Sequence, residues 1–331
     1  AAAGVLSLVG VAVPVKLNSP ADRHLREQLD DAVRDEWNER SKTHMKDALN
    51  SDAPMLSFDA QYSRPQAAAK DRRREAPRCT VDVLHGVDRH VVHVEVLEAE
   101  HVTDAEKQKY NAKTLENVGN QRVLRRLAEQ LPRRKKLLLA ADGSTKIRPL
   151  VDELFNKHGT RAEVKLDVWH ALRVFPKNVK KGISENSLKA HERAIDDAVE
   201  KMKEFFISAS ADTHKSKEEA VASAMEEWQE KKHELAQEGL EAKTLEPLGD
   251  AIVSFIKNKW PQMLAPCNST TANEAFHAVL SRYAPKRIFF QKYYGMRVRC
   301  AALHWNDTIE RRRSLPPTRW WERVVDRVRK S

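Results

Sequence analysis

The sequence predicts an α/β fold: a mixed five-stranded sheet flanked by helices and interrupted by an all-α insertion. Three observations predict it. Apolar periodicity switches from helical to alternating near residue 55. Two later strand-like runs are each reached through a helical pattern, as parallel crossovers require. After residue 171 no strand pattern recurs for about ninety residues. The boundaries that follow are a helical segment over 1–50, a first part of the core over 51–170, a helical insertion over 171–265, closing helices over 266–310 and a basic tail over 311–331.

Each element has its own signal. Leu25, Leu29, Val33 and Trp37 recur at helical spacing within residues 20–50. Met55-Leu56-Ser57-Phe58-Asp59 is a short apolar run ending on an acid. Cys79-Thr-Val-Asp-Val-Leu84 and His90-Val-Val-His-Val-Glu-Val-Leu97 alternate, with Gly86-Val87-Asp88 as the turn between them. Arg64–Arg78, rich in Arg and Ala, reads as a loop or short helix. Leu115, Val118, Val123, Leu124, Leu127 and Leu131 form a helical stripe that stops at Pro132. Lys136-Leu-Leu-Leu-Ala-Ala141 is continuous, as a strand buried on both faces requires, and runs into Asp142-Gly143. A helix over 145–157 ends at His158-Gly159, and Ala162–Leu166 is the fifth strand. The insertion carries stripes through Leu188–Phe206, Val221–Leu235 and Leu248–Ile256. Helices over 272–283 and 294–310 close the core. This order of three antiparallel strands followed by two crossover strands is the order of ribonuclease-H-like folds.

Composition narrows the partner. The formal net charge of +10 points to an anionic partner, with nucleic acid the commonest. Cys79, Cys267 and Cys300 are odd in number and widely spaced, which argues against a disulfide framework or a cysteine-built zinc site and fits a reducing compartment. Ala1–Pro14 is the one long apolar stretch; it lacks a basic leader and is too short to span a bilayer. It is expected to pack against the core, and no membrane partner is expected.

Three acids stand out by position. In a ribonuclease-H-like sheet the fourth strand lies beside the first, so Asp59 and Asp142 can share a cation. Glu274, at the start of a late helix, supplies the third carboxylate. Carboxylates suit Mg²⁺ or Mn²⁺, hard cations that prefer oxygen. Two such ions roughly 3.5–4 Å apart clamp the attacking and leaving oxygens of a phosphodiester. Taken singly, each acid is as readily a turn, cap or surface residue. Asp167-Val168-Trp169-His170 marks the junction where the insertion begins; Asp167 and His170 alone supply too few ligands for a metal, and Asp167 reads well as a helix cap. Lys286, Arg287, Lys292, Arg297 and Arg299 are the candidate phosphate contacts. Arg133–Lys136, Lys177–Lys181 and Arg311–Arg313 are further basic runs. Trp320-Trp321 adds aromatic surface to the tail. Trp228 and Trp260 suit a helical core better than base stacking.

Asp167-Val-Trp-His170 resembles the [C/D]-x-x-H motif between the second and third catalytic acids of Mutator-like and hAT-like transposases. Further blocks resemble the same group of eukaryotic DDE transposases: Leu139-Ala-Ala-Asp-Gly143 followed by Ile147-Arg148, Glu274-Ala-Phe-His277, Tyr283-Ala-Pro-Lys-Arg287, and Tyr294-Gly-Met-Arg297 followed by Ala301–Asn306. The resemblance covers about residues 50–306. It implies a DDE triad of Asp59, Asp142 and Glu274, a two-metal site for Mg²⁺ or Mn²⁺, DNA as substrate, a homo-oligomeric working complex and a nuclear location. The chain departs from the family at Gln61 and Ser63, where relatives carry a charged residue and a second aspartate. That leaves open a derivative that binds DNA without cleaving it. A compact exonuclease of the same fold fits less well, because it lacks the helical insertion.

Overall fold

The computed structural model describes residues 20–63, 78–98, 112–132, 135–141, 147–155, 161–210, 216–263, 271–285, 293–313 and 320–330. The N-terminal apolar stretch, Arg64–Pro77, Asp142, His158-Gly159 and Cys267 lie outside them. The protein is α/β, with a mixed five-stranded sheet. In chain order the elements are α1 (Pro20–Asn50), β1 (Met55–Ser63), β2 (Arg78–His85), β3 (Val91–Leu97), α2 (Ala112–Gln130), β4 (Lys136–Ala141), α3 (Ile147–Leu154) and β5 (Arg161–Leu166). They continue with α4 (Val168–Lys180), α5 (Glu185–Ser210), α6 (Lys217–Gln237), α7 (Ala242–Asn258), α8 (Thr271–Tyr283), α9 (Tyr294–Arg312) and α10 (Trp320–Lys330). Strand order across the sheet is β3-β2-β1-β4-β5. Among the described residues, no helix is long and apolar enough to cross a membrane.

Two compact units divide the chain: one from described residues within 1–138, 146–163 and 271–331, the other from those within 139–145 and 164–270. In the first, β1 pairs antiparallel with β2 and β2 with β3. Every residue of β2 is buried, so its alternation distinguishes two covered faces. Val81 meets α2, where Gly119 lies so close that an added Cβ would come 2.7 Å from Val81 Cγ2 and 2.5 Å from Leu97 Cδ1. The opposite face of β2 meets α8 and α9. There Leu84 joins a core with Leu29, Val33 and Trp37 of α1, Phe276 and Leu280 of α8, Cys300 and Leu303 of α9, and Trp320 and Val324 of α10. Thr80 Oγ1 lies 3.0 Å from the Tyr294 hydroxyl on that face. The sequence reading assigned no element to 320–330; the helix there buries Trp320 and Val324, which share one face at i,i+4.

The second unit is helical apart from its strand ends. Asp167 precedes α4 with extended backbone, and its carboxylate accepts from His170 N–H at 2.6 Å, the bond of an N-cap. A capping box of Ser216 and Glu219 starts α6. The apolar stripes of the sequence mark α5, α6 and α7; α4, with Leu172, Phe175 and Val179 buried on one face, is a fourth helix. Phe175, Phe206, Phe255 and Trp260 form an aromatic cluster with ring centroids 4.6–5.6 Å apart in the contacting pairs. Trp228 and Trp260 are fully buried, as core residues are, and neither offers a face for base stacking.

Candidate active site

The register of β1 against β2 sets Asp59 directly opposite Asp82. Directly opposed residues share a face of the sheet, and like charges there repel. Helix α8 packs against both strands and brings the groups that relieve this. Asn273 is fully buried, and its Nδ2 donates to Asp82 Oδ2 at 2.8 Å. One turn further along the same face, His277 Nε2 lies 2.5 Å from Asp82 Oδ1, and Nδ1 lies 3.8 Å from Asp59 Oδ2. The 2.5 Å contact requires a proton on one of its two atoms. The ring therefore stands between two carboxylates. Asp82 is sealed from solvent, whereas the Asp59 side chain keeps 18% of its surface exposed. Asp59 Oδ1 accepts from Ala60 N–H at 2.7 Å. Cys79 lies within the field of this pair: burial, reinforced by Asp82 and Asp59, pushes its thiol up to about 12, so it is no nucleophile.

Glu274 occupies the first turn of α8, three residues before His277, with its side chain exposed. An acid is stabilised there by the helix dipole. Asp59 and the helix bearing Glu274 are thus brought together through His277; Asp142 lies outside the described residues. In the second unit Asp167 N–H donates to Ala141 O at 2.9 Å, and its buried carboxylate lies 3.3 Å from His170 Nδ1. The cap bond occupies the same carboxylate, so Asp167 orders the start of α4.

Of the five candidate phosphate contacts, Lys286, Arg287 and Lys292 lie outside the described residues. Arg297 Nη1 donates to Tyr283 O at 3.0 Å, and Arg299 Nη1 lies 3.7 Å from Asp30 Oδ1. Burial lowers the pKa of both guanidiniums, the mark of cations drawn into structure. Among the other basic runs, Lys135 donates to Asn50 O and Ser51 O, Lys136 pairs with Glu163, and Arg311 and Arg313 pair with Asp307 and Asp88.

Composition and motif spacing assign no role to Asp82, Asn273 or His277. Two signals point to them: an aspartate between two valines in a strand-like run, and the i,i+4 spacing of Asn273 and His277 beside Glu274. No protein-family model matches the chain, and no curated protein matches it.

Proposed function

We propose that this chain is the ribonuclease-H-like catalytic domain of a DDE-type DNA transposase, cleaving and joining DNA strands with Asp59, Asp142 and Glu274 as its cation-holding acids. The observation that carries the proposal is the packing of α8 on β1 and β2, with His277 3.8 Å from Asp59 and Glu274 one turn earlier on the same helix. The sheet order is the second support: β4 neighbours β1, and Asp142 is the residue that follows β4. The family resemblance of Asp167–His170 and Glu274–His277 is the third.

The donor set fits the expected cofactor. It is all oxygen, which suits Mg²⁺ or Mn²⁺, and both Asp59 and Glu274 are open to solvent. When bound, such an ion supplies Lewis acidity to a phosphodiester and to the attacking hydroxyl. The chain's own residues fix the acids. Ala60 N–H orients the Asp59 carboxylate, and buried Asp82 with Asn273 holds the His277 ring 3.8 Å from it. Phosphate recognition in this proposal rests on Lys286, Arg287 and Lys292, since Arg297 and Arg299 are engaged within the fold. A homo-oligomeric working complex and a nuclear location belong to the same proposal.

A derivative that binds DNA without cleaving it is favoured by one observation: Gln61, 3% exposed, lies two residues beyond Asp59 on the same strand, where the family carries charge. Nicking of supercoiled plasmid DNA with Mn²⁺ titrated separates the two. The transposase reading expects Mn²⁺-dependent nicking that falls at least about 100-fold in Asp59→Asn and in Glu274→Gln with helicity unchanged. Nicking that survives chelation, or that Asp59→Asn performs at the wild-type rate, overturns it. DNA binding without nicking by the wild type establishes the non-cleaving derivative.

A further inference from the structure

A second cluster of ligating side chains lies in the first unit, on residues the proposed reaction does not use. His44 of α1, His90 at the start of the β3 segment and Glu310 of α9 point at one another, with one ligating atom of each within 4.8 Å of the others. The two rings stack with centroids 4.6 Å apart and an interplanar angle of 14°. His44 Nε2 lies 3.6 Å from Glu310 Oε1. His90 is 8% exposed, and its Nε2 is buried without a hydrogen-bond partner. A buried imidazole nitrogen with no partner is costly, and native folds rarely leave one so.

The scaffold around the cluster is fixed. Trp305 Nε1 donates to Arg89 O at 2.7 Å, while Asn306 accepts from Val91 N–H and donates to Val91 O. These bonds clamp α9 onto the chain on both sides of His90, and Glu310, four residues beyond Asn306, follows on the same helix face. Arg89 itself takes φ 63°, the left-handed conformation that turns the chain into His90. Arg40 Nη2 donates to both Glu310 oxygens at 2.6 and 2.7 Å. The nearby Asp88 is held by His85 and Arg313.

We propose that His44, His90 and Glu310 form a binding site for Zn²⁺, with water as the fourth ligand, separate from the carboxylates at Asp59. Two imidazoles and one carboxylate are a donor set for a borderline cation, whereas Mg²⁺ and Mn²⁺ favour oxygen alone. Tetrahedral zinc with these ligands needs donor atoms about 3.3–3.5 Å apart. The His44–Glu310 separation already approaches this, so the adjustment falls on His90, whose ring must turn out of its stack on His44 for a nitrogen to aim at the same ion. A carboxylate has about four lone-pair directions, so Glu310 can ligate while keeping Arg40. Arg40 then orients the ligand from behind, as outer hydrogen-bond partners of metal sites do. Bound there, the ion ties α1, the β2–β3 hairpin and α9 together.

The test is calorimetric titration of the whole chain with Zn²⁺ after chelator dialysis, alongside thermal denaturation. Binding of one ion is expected, with a melting temperature that rises with Zn²⁺ concentration. His44→Gln and His90→Gln are each expected to weaken binding by at least about tenfold, while Asp59→Asn leaves it unchanged. Co²⁺ in the wild type provides a readout that does not depend on the variants folding: intense visible d–d bands of a four-coordinate N/O site are expected. No stoichiometric Zn²⁺ binding, Zn²⁺ affinity unchanged in both histidine variants, or only the weak bands of octahedral Co²⁺ overturns the proposal.

Discussion

Asp82 is a carboxylate that has lost all contact with water, and what surrounds it determines the chemistry of its neighbours. Removing one partner of a buried charged pair costs about 3–5 kcal/mol when nothing else compensates. Asn273 still donates to Asp82, so His277→Ala is expected to cost about 2–3 kcal/mol in urea denaturation. Asp82→Asn removes the charge itself and is expected to cost less. Combined in a double-mutant cycle, the two changes are expected to show a coupling above about 1 kcal/mol; additive costs would mean that the 2.5 Å contact carries no energy. His304 offers a test of pH. Its Nδ1 faces the Tyr283 hydroxyl at 2.5 Å, and burial, reinforced by Arg311, lowers its pKa below the ordinary 6.5. In the window between that lowered value and 6.5, the unfolded chain binds a proton that the folded chain does not. Stability is therefore expected to fall as pH drops through this window. His304→Asn should show a flatter profile in urea midpoints taken from pH 7.5 to pH 5, and parallel profiles would remove His304 as the cause.

At the scale of elements, the close approach of α2 to the sheet depends on Gly119. A methyl there collides with Val81 and Leu97, and overpacking of this kind costs about 1–3 kcal/mol, against about 1 kcal/mol gained in helix propensity. Gly119→Ala is expected to destabilise by a net of up to about 2 kcal/mol, and a rise in the urea midpoint would contradict the packing described. The elements themselves were largely legible because each buries a stripe: alternation marks β2 and β3, and the 3.6-residue period marks α2, α5, α7 and α9. What escaped notice had weaker signals. Helix α4 carries Pro176 within it, and α10 is so basic that Trp320 and Val324 read as a decorated tail. The candidate site was legible by halves. Asp59 and Glu274 stand out at a strand and a helix start, but nothing in one dimension reports that Asp82 lies opposite Asp59. That depends on the register of β1 against β2, and register is set by the packing of whole faces.

Across the whole first unit, the first and last described helices close on each other. Trp320 and Val324 of α10 share the core of Leu29, Val33 and Trp37, while Arg323 reaches Glu36 and Arg327 reaches Glu39 at 2.8 and 2.7 Å. The exposed Arg327–Glu39 pair is worth little, Arg323 offsets the cost of burying the Glu36 carboxylate, and the tryptophan carries the apolar contact. Trp320→Ala is expected to cost about 3 kcal/mol by thermal or urea denaturation, and a loss below about 0.5 kcal/mol would show that α10 is dispensable. The same closure bears on how the chain is made. The three antiparallel strands leave the ribosome before α8, which packs over Asp59 and Asp82 and is encoded some two hundred residues later. At about 5–20 residues per second, synthesis leaves Asp59 and Asp82 waiting roughly 10–40 s for this helix. During that time the strands present opposed carboxylates amid an apolar surface, a combination that neither pairs nor packs. The nascent chain is therefore expected to need chaperone cover until α8 emerges.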